Sequence, residues 1–179
     1  MKFTALPLEG AYRIELERIV DNRGFNARQW CAREFSAQGI PIEVAQTNII
    51  YNRTRGTLRG LHYQVPPMAE TKLFRVTRGA IYDVIVDLRP ASPTFGQWTA
   101  VELHADAYAM LFVPEGFAQG FQTLEDDTEL IYQVSASYSP EHGRGIRYDD
   151  PSLAIPWPLA VTEISDRDRA LPDLRSVAA

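Results

Sequence analysis

The chain has 179 residues and a net charge of −5, and 45% of its residues are hydrophobic. This length suits one domain with a substantial core, and the acidic balance argues against a general nucleic-acid binder. The single cysteine, Cys31, excludes an intrachain disulfide and indicates a reducing compartment. The sequence has no apolar run typical of a signal peptide or of a membrane span of roughly 20 residues, so we expect a cytoplasmic protein that does not bind membranes.

Alternating apolar residues predict strands along most of the chain. In chain order, the predicted strands cover residues 12–19, 44–51, 72–77, 80–88, 98–103, 109–113, 120–123 and 129–135. One helix is predicted, over residues 30–37, with a short helical turn near 166–169. Many short strands at this spacing predict an all-β sandwich or jelly-roll barrel with a few short helices.

After Tyr138 the sequence becomes irregular and rich in Pro, Gly and Asp. We interpret residues 139–179 as a segment that covers the barrel and not as a second domain. The prediction is therefore a single domain that spans residues 1–179.

Two segments look like the paired signatures of a cupin barrel without its metal ligands: 59–64 (RGLHYQ) and 114–121 (PEGFAQGF). A transition metal in such a barrel needs several imidazole or carboxylate ligands that converge on one point. His62 is the only histidine in these segments, and Gln119 stands where a second would be. We predict no bound metal and interpret His62 as a base, with a hydrogen-bonded core histidine as the alternative.

Four other side chains have chemistry that could support a basic histidine. Arg59 could grip a phosphate, and Lys72 could stabilise an oxyanion. Tyr132 could deliver a proton, and Asp168 could orient the imidazole of His62. Spacing alone does not show that these residues converge, and each of them, taken singly, is more often structural.

Taken in order, these segments resemble the dTDP-4-dehydrorhamnose 3,5-epimerase family of sugar-nucleotide epimerases. The likeness covers nearly the whole chain and includes residues 21–25 (DNRGF), 46–48 (QTN), 58–64 (LRGLHYQ), 72–76 (KLFRV), 92–98 (SPTFGQW) and 165–168 (SDRD). The resemblance implies a metal-free, cofactor-free cupin-type jelly-roll barrel. It also implies a homodimer in which the N-terminal segment, within residues 1–40, helps to complete the partner's site.

The activity that this resemblance implies is inversion of C3, C5 or both in a nucleoside-diphospho-4-keto-6-deoxyhexose, in deoxysugar biosynthesis. His62 would remove a proton beside the keto group, with Asp168 orienting its imidazole. Lys72 would stabilise the enolate, and Tyr132 would return a proton from the opposite face. The residues implied in substrate binding are Arg23, Phe25, Arg28, Gln46, Asn48, Arg59, Gln119, Tyr138 and Arg167.

Four positions depart from the family's pattern. Arg28 and Gly143 stand where Glu is common, Gln119 where His is usual, and Gln133 where Lys is common. Arg28 reverses a charge, so it cannot accept a hydrogen bond from a base. These changes favour a member specialised for another sugar or nucleotide, with neutral drift as the alternative. Gln119 could also restrict the reaction to one carbon.

Three functions from other classes stay open. A sugar-nucleotide 3,4-ketoisomerase usually has two neighbouring histidines in its barrel, and this chain offers no such pair. A metal-dependent cupin enzyme would need ligands that the sequence does not group. A non-catalytic sugar-nucleotide-binding barrel would not need His62, Lys72, Tyr132 and Asp168 together.

Overall fold

The computed structural model describes residues 1–40 and 43–177. Within these residues the chain forms thirteen strands, three short α-helices and one 3-10 turn (Ala105–Ala107). The strands are β1 (Lys2–Ala5), β2 (Tyr12–Glu15), β3 (Arg18–Asp21), β4 (Gly24–Ala27), β5 (Gln46–Asn52), β6 (Leu58–Gln64), β7 (Lys72–Arg78), β8 (Ala80–Asp87), β9 (Trp98–His104), β10 (Met110–Val113), β11 (Phe117–Thr123), β12 (Thr128–Val134) and β13 (Gly143–Gly145). The helices are α1 (Ala32–Ala37), α2 (Asp166–Arg169) and α3 (Leu174–Val177).

Two antiparallel sheets form the walls of a barrel. The six-stranded sheet has the order β1-β2-β10-β7-β12-β5, and the five-stranded sheet has the order β13-β6-β11-β8-β9. Among the strands of the described residues, β3 and β4 pair only with each other and form a separate hairpin. The predicted all-β jelly-roll architecture with a few short helices is confirmed. None of the helices in the described part of the chain is long and apolar enough to cross a membrane.

Three apolar clusters hold these layers together. The largest lies between the sheets, where Phe74 and Leu130 of one sheet pack against Ile85 and Phe121 of the other. A second cluster covers the outer face of the five-stranded sheet, to which the irregular C-terminal segment contributes Ile146, Leu153 and Ile155. These three side chains of the segment predicted at residues 139–179 therefore pack on the five-stranded sheet, while residues 178 and 179 fall outside the described range.

The third cluster covers part of the outer face of the six-stranded sheet. There α1 buries Phe35, which is 1% exposed, beside Ile14, Met110 and Phe112. Burying one such aromatic side chain stabilises a fold by about 1.5–3 kcal/mol. This packing explains why so short a helix is stable, since a helix of six residues would not persist alone in water.

Several predicted element boundaries were wrong. The predicted strand 12–19 is two strands, because the chain leaves the six-stranded sheet after Glu15 and starts the hairpin at Arg18. The predicted strand 120–123 begins earlier, at Phe117, and the predicted strand 44–51 begins later, at Gln46. The predicted helix over 30–37 begins at Ala32.

Four strands were not predicted: β1, β4, β6 and β13. The most consequential is β6, because it contains His62. A glycine inside a strand weakens the local strand pattern, and Gly60 lies at the third position of β6. In the structure Gly60 lets two strands approach closely, as described below.

Candidate active site

A cavity of about 600 Å³ lies between the two sheets. The six-stranded sheet contributes Lys72 and Tyr132 to its lining, and the five-stranded sheet contributes His62. The C-terminal segment contributes Asp168, which lies in helix α2. The four residues that the sequence analysis proposed as catalytic therefore line one cavity. Their convergence is a finding, while their catalytic roles remain predictions.

An irregularity in β6 directs both Arg59 and His62 into the cavity. Residues three apart in a regular strand point to opposite faces. Here the register shifts between Gln119 and Phe121 of β11, so that His62 lies opposite Gln119 and Arg59 lies opposite Phe121. All four residues line the cavity. The shift therefore allows an imidazole and a guanidinium from one short strand to face the same cavity.

Two glycines, Gly60 and Gly120, allow β6 and β11 to lie close together at this register shift. A Cβ on Gly60 would lie 2.5 Å from the Cα of Gly120, and a Cβ on Gly120 would lie 2.7 Å from the carbonyl oxygen of Arg59. Gly60 also has a backbone φ of +114°, which L side chains rarely adopt. A side chain at either position would push β6 and β11 apart beside His62.

His62 and Asp168 form a hydrogen-bonded pair. Nε2 of His62 lies 2.7 Å from Oδ1 of Asp168. The backbone N–H of Gly60 donates to Oδ2 of Asp168 at 3.0 Å, and the N–H of Asp168 donates to Oγ of Ser165 at 3.1 Å. Burial opposes ionisation of Asp168, but the hydrogen bonds from His62 and Gly60 outweigh it and lower the pKa of the carboxyl. Asp168 is thus a carboxylate that two hydrogen bonds hold in place beside the imidazole of His62.

Lys72 is buried next to this pair. Its Nζ donates to the backbone carbonyl of His62 at 3.0 Å and lies 3.4 Å from Oε1 of Glu70. Burial lowers the pKa of Lys72, and the carboxylate of Glu70 opposes that shift. An ammonium has three N–H donors, so these two contacts leave one donor for a ligand oxygen in the cavity.

Tyr132 lies on the opposite sheet from His62. Its ring stacks on that of Phe74, with centroids 5.0 Å apart and planes inclined by 6°. Burial and the negative charge of Glu70 raise the pKa of Tyr132, so its phenol keeps its proton at neutral pH. An imidazole therefore lies on one wall of the cavity and a protonated phenol on the other.

Six of the nine residues predicted to bind substrate also line the cavity: Gln46, Asn48, Arg59, Gln119, Tyr138 and Arg167. Gln46 accepts a hydrogen bond from the backbone N–H of Tyr138 at 2.7 Å. The guanidinium of Arg167 donates to the hydroxyl of Tyr138 at 3.2 Å. These bonds hold the C-terminal segment against the six-stranded sheet at the cavity wall.

Arg23, Phe25 and Arg28 do not line this cavity, because all three lie in or just after the β3–β4 hairpin. Arg23 forms an ion pair with Asp21 at 2.6 Å, and Arg28 forms one with Glu34 at 2.5 Å. Phe25 packs edge-to-face on Tyr108, with centroids 4.8 Å apart. Their proposed role in substrate binding in a partner's site stays a prediction.

The charge of the cavity differs in sign from that of the whole chain. Its lining includes four cationic side chains and two carboxylates: Arg59, Lys72, Arg144 and Arg167, against Glu70 and Asp168. The chain as a whole carries −5. A locally positive cavity in an acidic protein favours an anionic ligand such as a diphosphate.

Sequence reasoning missed Glu70 and Arg144. Glu70 lies two residues before the start of β7 and outside the strand, so the alternation of strand residues gave no signal for it. Arg144 lies between two glycines in β13, a sequence without a strand signal. Of the four departures, Gln119 and Gly143 line the cavity, whereas Gln133 does not and Arg28 lies near the hairpin.

Among residues 1–40 and 43–177, no three His, Cys, Asp or Glu side chains are grouped in a way that could hold a metal ion. The other two histidines have local partners: His142 contacts Ser139, and His104 lies near Glu102.

The chain is similar to known proteins over nearly its whole length. The family model for dTDP-4-dehydrorhamnose 3,5-epimerase matches residues 5–176. The dTDP-4-dehydrorhamnose 3,5-epimerase of Sinorhizobium fredii is 41% identical over 175 residues, which cover 97% of this chain and 90% of that protein.

Two solved structures are similar over nearly the whole chain. The dTDP-4-dehydrorhamnose 3,5-epimerase of Bacillus anthracis, with TDP and PPi bound, superposes with a TM-score of 0.93 at 43% identity and covers 97% of this chain and 99% of its own. A 3'-monoepimerase from Streptomyces bikiniensis, in complex with dTDP-quinovose, gives a TM-score of 0.89 at 36% identity, with 96% and 87% coverage. The chain belongs to the dTDP-4-dehydrorhamnose 3,5-epimerase family.

Proposed function

We propose that the protein is a cytoplasmic epimerase of deoxysugar biosynthesis, an isomerase that inverts C3, C5 or both in a nucleoside-diphospho-4-keto-6-deoxyhexose. The observation that carries this proposal is the His62–Asp168 pair, which lines a cationic cavity opposite Tyr132. A carbonyl acidifies the hydrogens on its neighbouring carbons, because the carbanion delocalises onto oxygen as an enolate. A single well-placed base can then begin the reaction by proton transfer.

His62 is the proposed base. Asp168 accepts a hydrogen bond from Nε2, so the proton of the neutral imidazole resides on Nε2 and Nδ1 is the atom that takes up the substrate proton. The carboxylate also stabilises the imidazolium that forms as the proton arrives. General base catalysis of this kind contributes about 10²–10⁴-fold to a rate.

Lys72 and Tyr132 are proposed to complete the reaction. The remaining N–H of Lys72 donates to the keto oxygen as negative charge develops there, an interaction that strengthens towards the transition state. Tyr132 donates its phenolic proton to the carbanion from the wall opposite His62. Removal from one face and return from the other inverts the carbon. The supporting observation is that His62 and Tyr132 lie on opposite sheets.

The nucleoside diphosphate is proposed to lie along the cationic residues of the cavity. Arg59 already donates its Nε to Oδ1 of Asn52 at 2.7 Å, which orients the guanidinium. An oriented guanidinium loses less rotamer entropy when it binds a phosphate in bidentate fashion. Tyr138, which is 55% exposed, offers an aromatic face for the base.

We also propose that the protein works as a homodimer. The outer face of edge strand β5 exposes Ile49 by 67% and Tyr51 by 47%, and the β3–β4 hairpin exposes Ile19 by 75% and Val20 by 74%. Unpaired sheet edges and apolar patches of this kind favour association with another chain. In the dimer, Arg23 and Phe25 of the hairpin would reach the partner's cavity.

A second candidate is a member that acts at one carbon or on another nucleotide sugar. Gln119 lies directly across from His62, and its amide cannot exchange protons as an imidazole does. The similarity to a 3'-monoepimerase makes this candidate concrete. A barrel that binds sugar nucleotides without catalysis is the remaining alternative.

Proton NMR in deuterated water, with 4-keto-6-deoxyhexoses linked to dTDP, UDP, GDP and CDP, separates these functions. Deuterium at C3, C5 or both, with inverted configuration, supports an epimerase and identifies its carbons and its nucleotide. Binding without deuterium incorporation would support the non-catalytic alternative. Neither binding nor exchange with any of the four would refute the nucleotide-sugar assignment.

A further inference from the structure

Asp83 is a buried acid that the mechanism above does not use. It lies in β8, and its side chain is fully buried. Its Oδ1 accepts a hydrogen bond from Nε2 of Gln119 at 2.8 Å, and its Oδ2 has no hydrogen-bond partner among the described residues. A buried carboxyl group without full hydrogen bonding destabilises a fold. Its presence behind the cavity therefore indicates a role that outweighs this cost.

The partner of Asp83 is well placed to contact a substrate. Gln119 lies directly opposite His62 in the β6–β11 pairing. Residues in this relation have Cβ atoms about 4.5–5.5 Å apart on the same face of the sheet. The amide of Gln119 is thus next to the proposed base, and it lines the same cavity.

An unrestrained amide can present either of two ends. Its Nε2 group donates hydrogen bonds, and its Oε1 atom accepts them. Because Nε2 is bound to Asp83, Oε1 is the end left for the cavity. Oε1 makes no hydrogen bond to the described protein residues, whereas Nε2 does.

We propose that Asp83 is a positioning residue that holds the Gln119 amide so that Oε1 faces the substrate beside His62 and accepts a hydrogen bond from a sugar hydroxyl. This inference rests on the proposed function, and it deepens it. The pair would favour sugars that carry a hydroxyl next to the reacting carbon, because a sugar without that donor would leave Oε1 unpaired in a buried site.

Oδ1 of Asp83 can accept the hydrogen bond from Nε2 of Gln119 in either protonation state of the carboxyl group. Burial raises the pKa of Asp83 to about 7, although the hydrogen bond from Gln119 and the charge of Lys72 oppose the shift. A proton on Oδ2 leaves Oδ1 as a carbonyl-type acceptor for Nε2. Asparagine offers the same acceptor at the same place, whereas leucine has a similar shape and offers none.

A double-mutant cycle tests the proposal by steady-state kinetics with the 4-keto sugar nucleotide that the unmodified protein turns over. The variants are Asp83→Leu, Asp83→Asn, Gln119→Met and the double variant Asp83→Leu with Gln119→Met. We expect Asp83→Leu to raise KM by about 3–10-fold, the value of one hydrogen bond, with a smaller change in kcat. Asp83→Asn should keep KM within about twofold of the unmodified protein.

The decisive comparison is made in the Gln119→Met background. There Asp83→Leu should have no further effect on KM, because the amide that it orients is already gone. Circular dichroism and thermal unfolding establish that each variant is folded, and Asp83→Asn supplies the test if Asp83→Leu is not. An equal effect of Asp83→Leu in both backgrounds, or a KM for Asp83→Asn that rises by about 3–10-fold, would overturn the proposal. If the unmodified protein turns over none of the 4-keto-6-deoxyhexoses linked to dTDP, UDP, GDP and CDP, the proposed function itself fails, and this inference fails with it.

Discussion

Nε2 of His62 lies 2.7 Å from Oδ1 of Asp168, although 106 positions separate the two residues in the chain. Asp168 reaches this position because Ser165 caps α2 and the backbone of Gly60 binds the second carboxylate oxygen. The pair joins the C-terminal segment to the centre of β6. The contact that attaches the C-terminal segment to β6 is therefore also the contact that places a carboxylate beside His62.

Replacing Tyr132 by Phe should separate proton removal from inversion. Phenylalanine keeps the stacking on Phe74 and removes only the hydroxyl. Formation of the inverted product should fall by about 10²–10⁴-fold, the usual contribution of a general acid. Deuterium exchange with retained configuration should fall far less, since His62 can return a proton to the face from which it was taken. Proton NMR in deuterated water measures both rates.

The matched control is Tyr63→Phe, at another tyrosine that lines the cavity. It should leave the ratio of exchange to inversion as it is in the unmodified protein. If exchange and inversion decline in proportion when Tyr132 is replaced, Tyr132 is not the acid.

Two glycines of β13 should respond differently to the same substitution. A Cβ on Gly143 would meet its nearest atom, the carbonyl oxygen of Ser139, at 3.5 Å, whereas a Cβ on Gly145 would lie 2.7 Å from Leu171 and from the carbonyl oxygen of Leu61. Gly143→Ala should raise the free energy of unfolding by about 0.4–1 kcal/mol, because it reduces the entropy of the unfolded chain.

Gly145→Ala should lower the free energy of unfolding by about 1–3 kcal/mol, because it overpacks the contact between β13 and its neighbours. Urea denaturation of both variants measures the difference. Equal effects of the two substitutions would show that the space beside Gly143 is not open.

Charging the hairpin should weaken self-association. Val20 is 74% exposed, and Val20→Lys puts a charge in the apolar surface that we assign to the dimer. Sedimentation over a range of concentrations should show a shift from dimer towards monomer. Phe95→Lys, at an exposed aromatic outside the hairpin and β5, is the control and should leave the dimer intact. A monomer at all concentrations in the unmodified protein would contradict the proposed assembly.

The titration of Asp83 should make stability depend on pH in a specific window. The pKa of Asp83 is raised from 3.8 to about 7, so between these values the folded state holds a proton that the unfolded state releases. Stability from this group is greatest below about pH 4 and is lost progressively until the pH passes about 7. Asp83→Asn does not titrate, so its stability relative to the unmodified protein should rise from about pH 4 to about pH 7 and then level off.

Urea unfolding at intervals of pH measures that difference. Asp106→Asn, at an exposed residue of the 3-10 turn, serves as the control. A difference between Asp83→Asn and the unmodified protein that stays constant from acid to neutral pH would show that Asp83 is ionised throughout.

The regular strands were predictable where burial alternates. Strands β7 and β8 were predicted within one residue of their observed bounds, because each has a long run of alternating apolar residues and Gly79 marks the turn between them. Strands β6 and β13 were not predicted, because both contain glycines, which are rare in strands. The structure shows that Gly60 and Gly145 are required there by close contacts between strands. Such contacts are long-range, and local propensity does not encode them.

The types of residue in the site were predictable, but their arrangement was not. The sequence suggested the chemistry of His62, Lys72, Tyr132 and Asp168, yet their convergence depends on pairings between strands far apart in the chain. No role was predicted for Asp83, because an aspartate in an apolar strand becomes informative only when its burial and its partner are known.

A comparison of the unmodified protein with His62→Asn tests whether His62 is the base, with solvent-deuterium incorporation into a 4-keto-6-deoxyhexose nucleotide followed by proton NMR. We expect exchange at C3, C5 or both in the unmodified protein and a rate at least about 10²-fold lower in the variant. Calorimetry should show that the variant still binds the nucleoside diphosphate. Exchange in the His62→Asn variant at the rate of the unmodified protein would show that His62 is not the base.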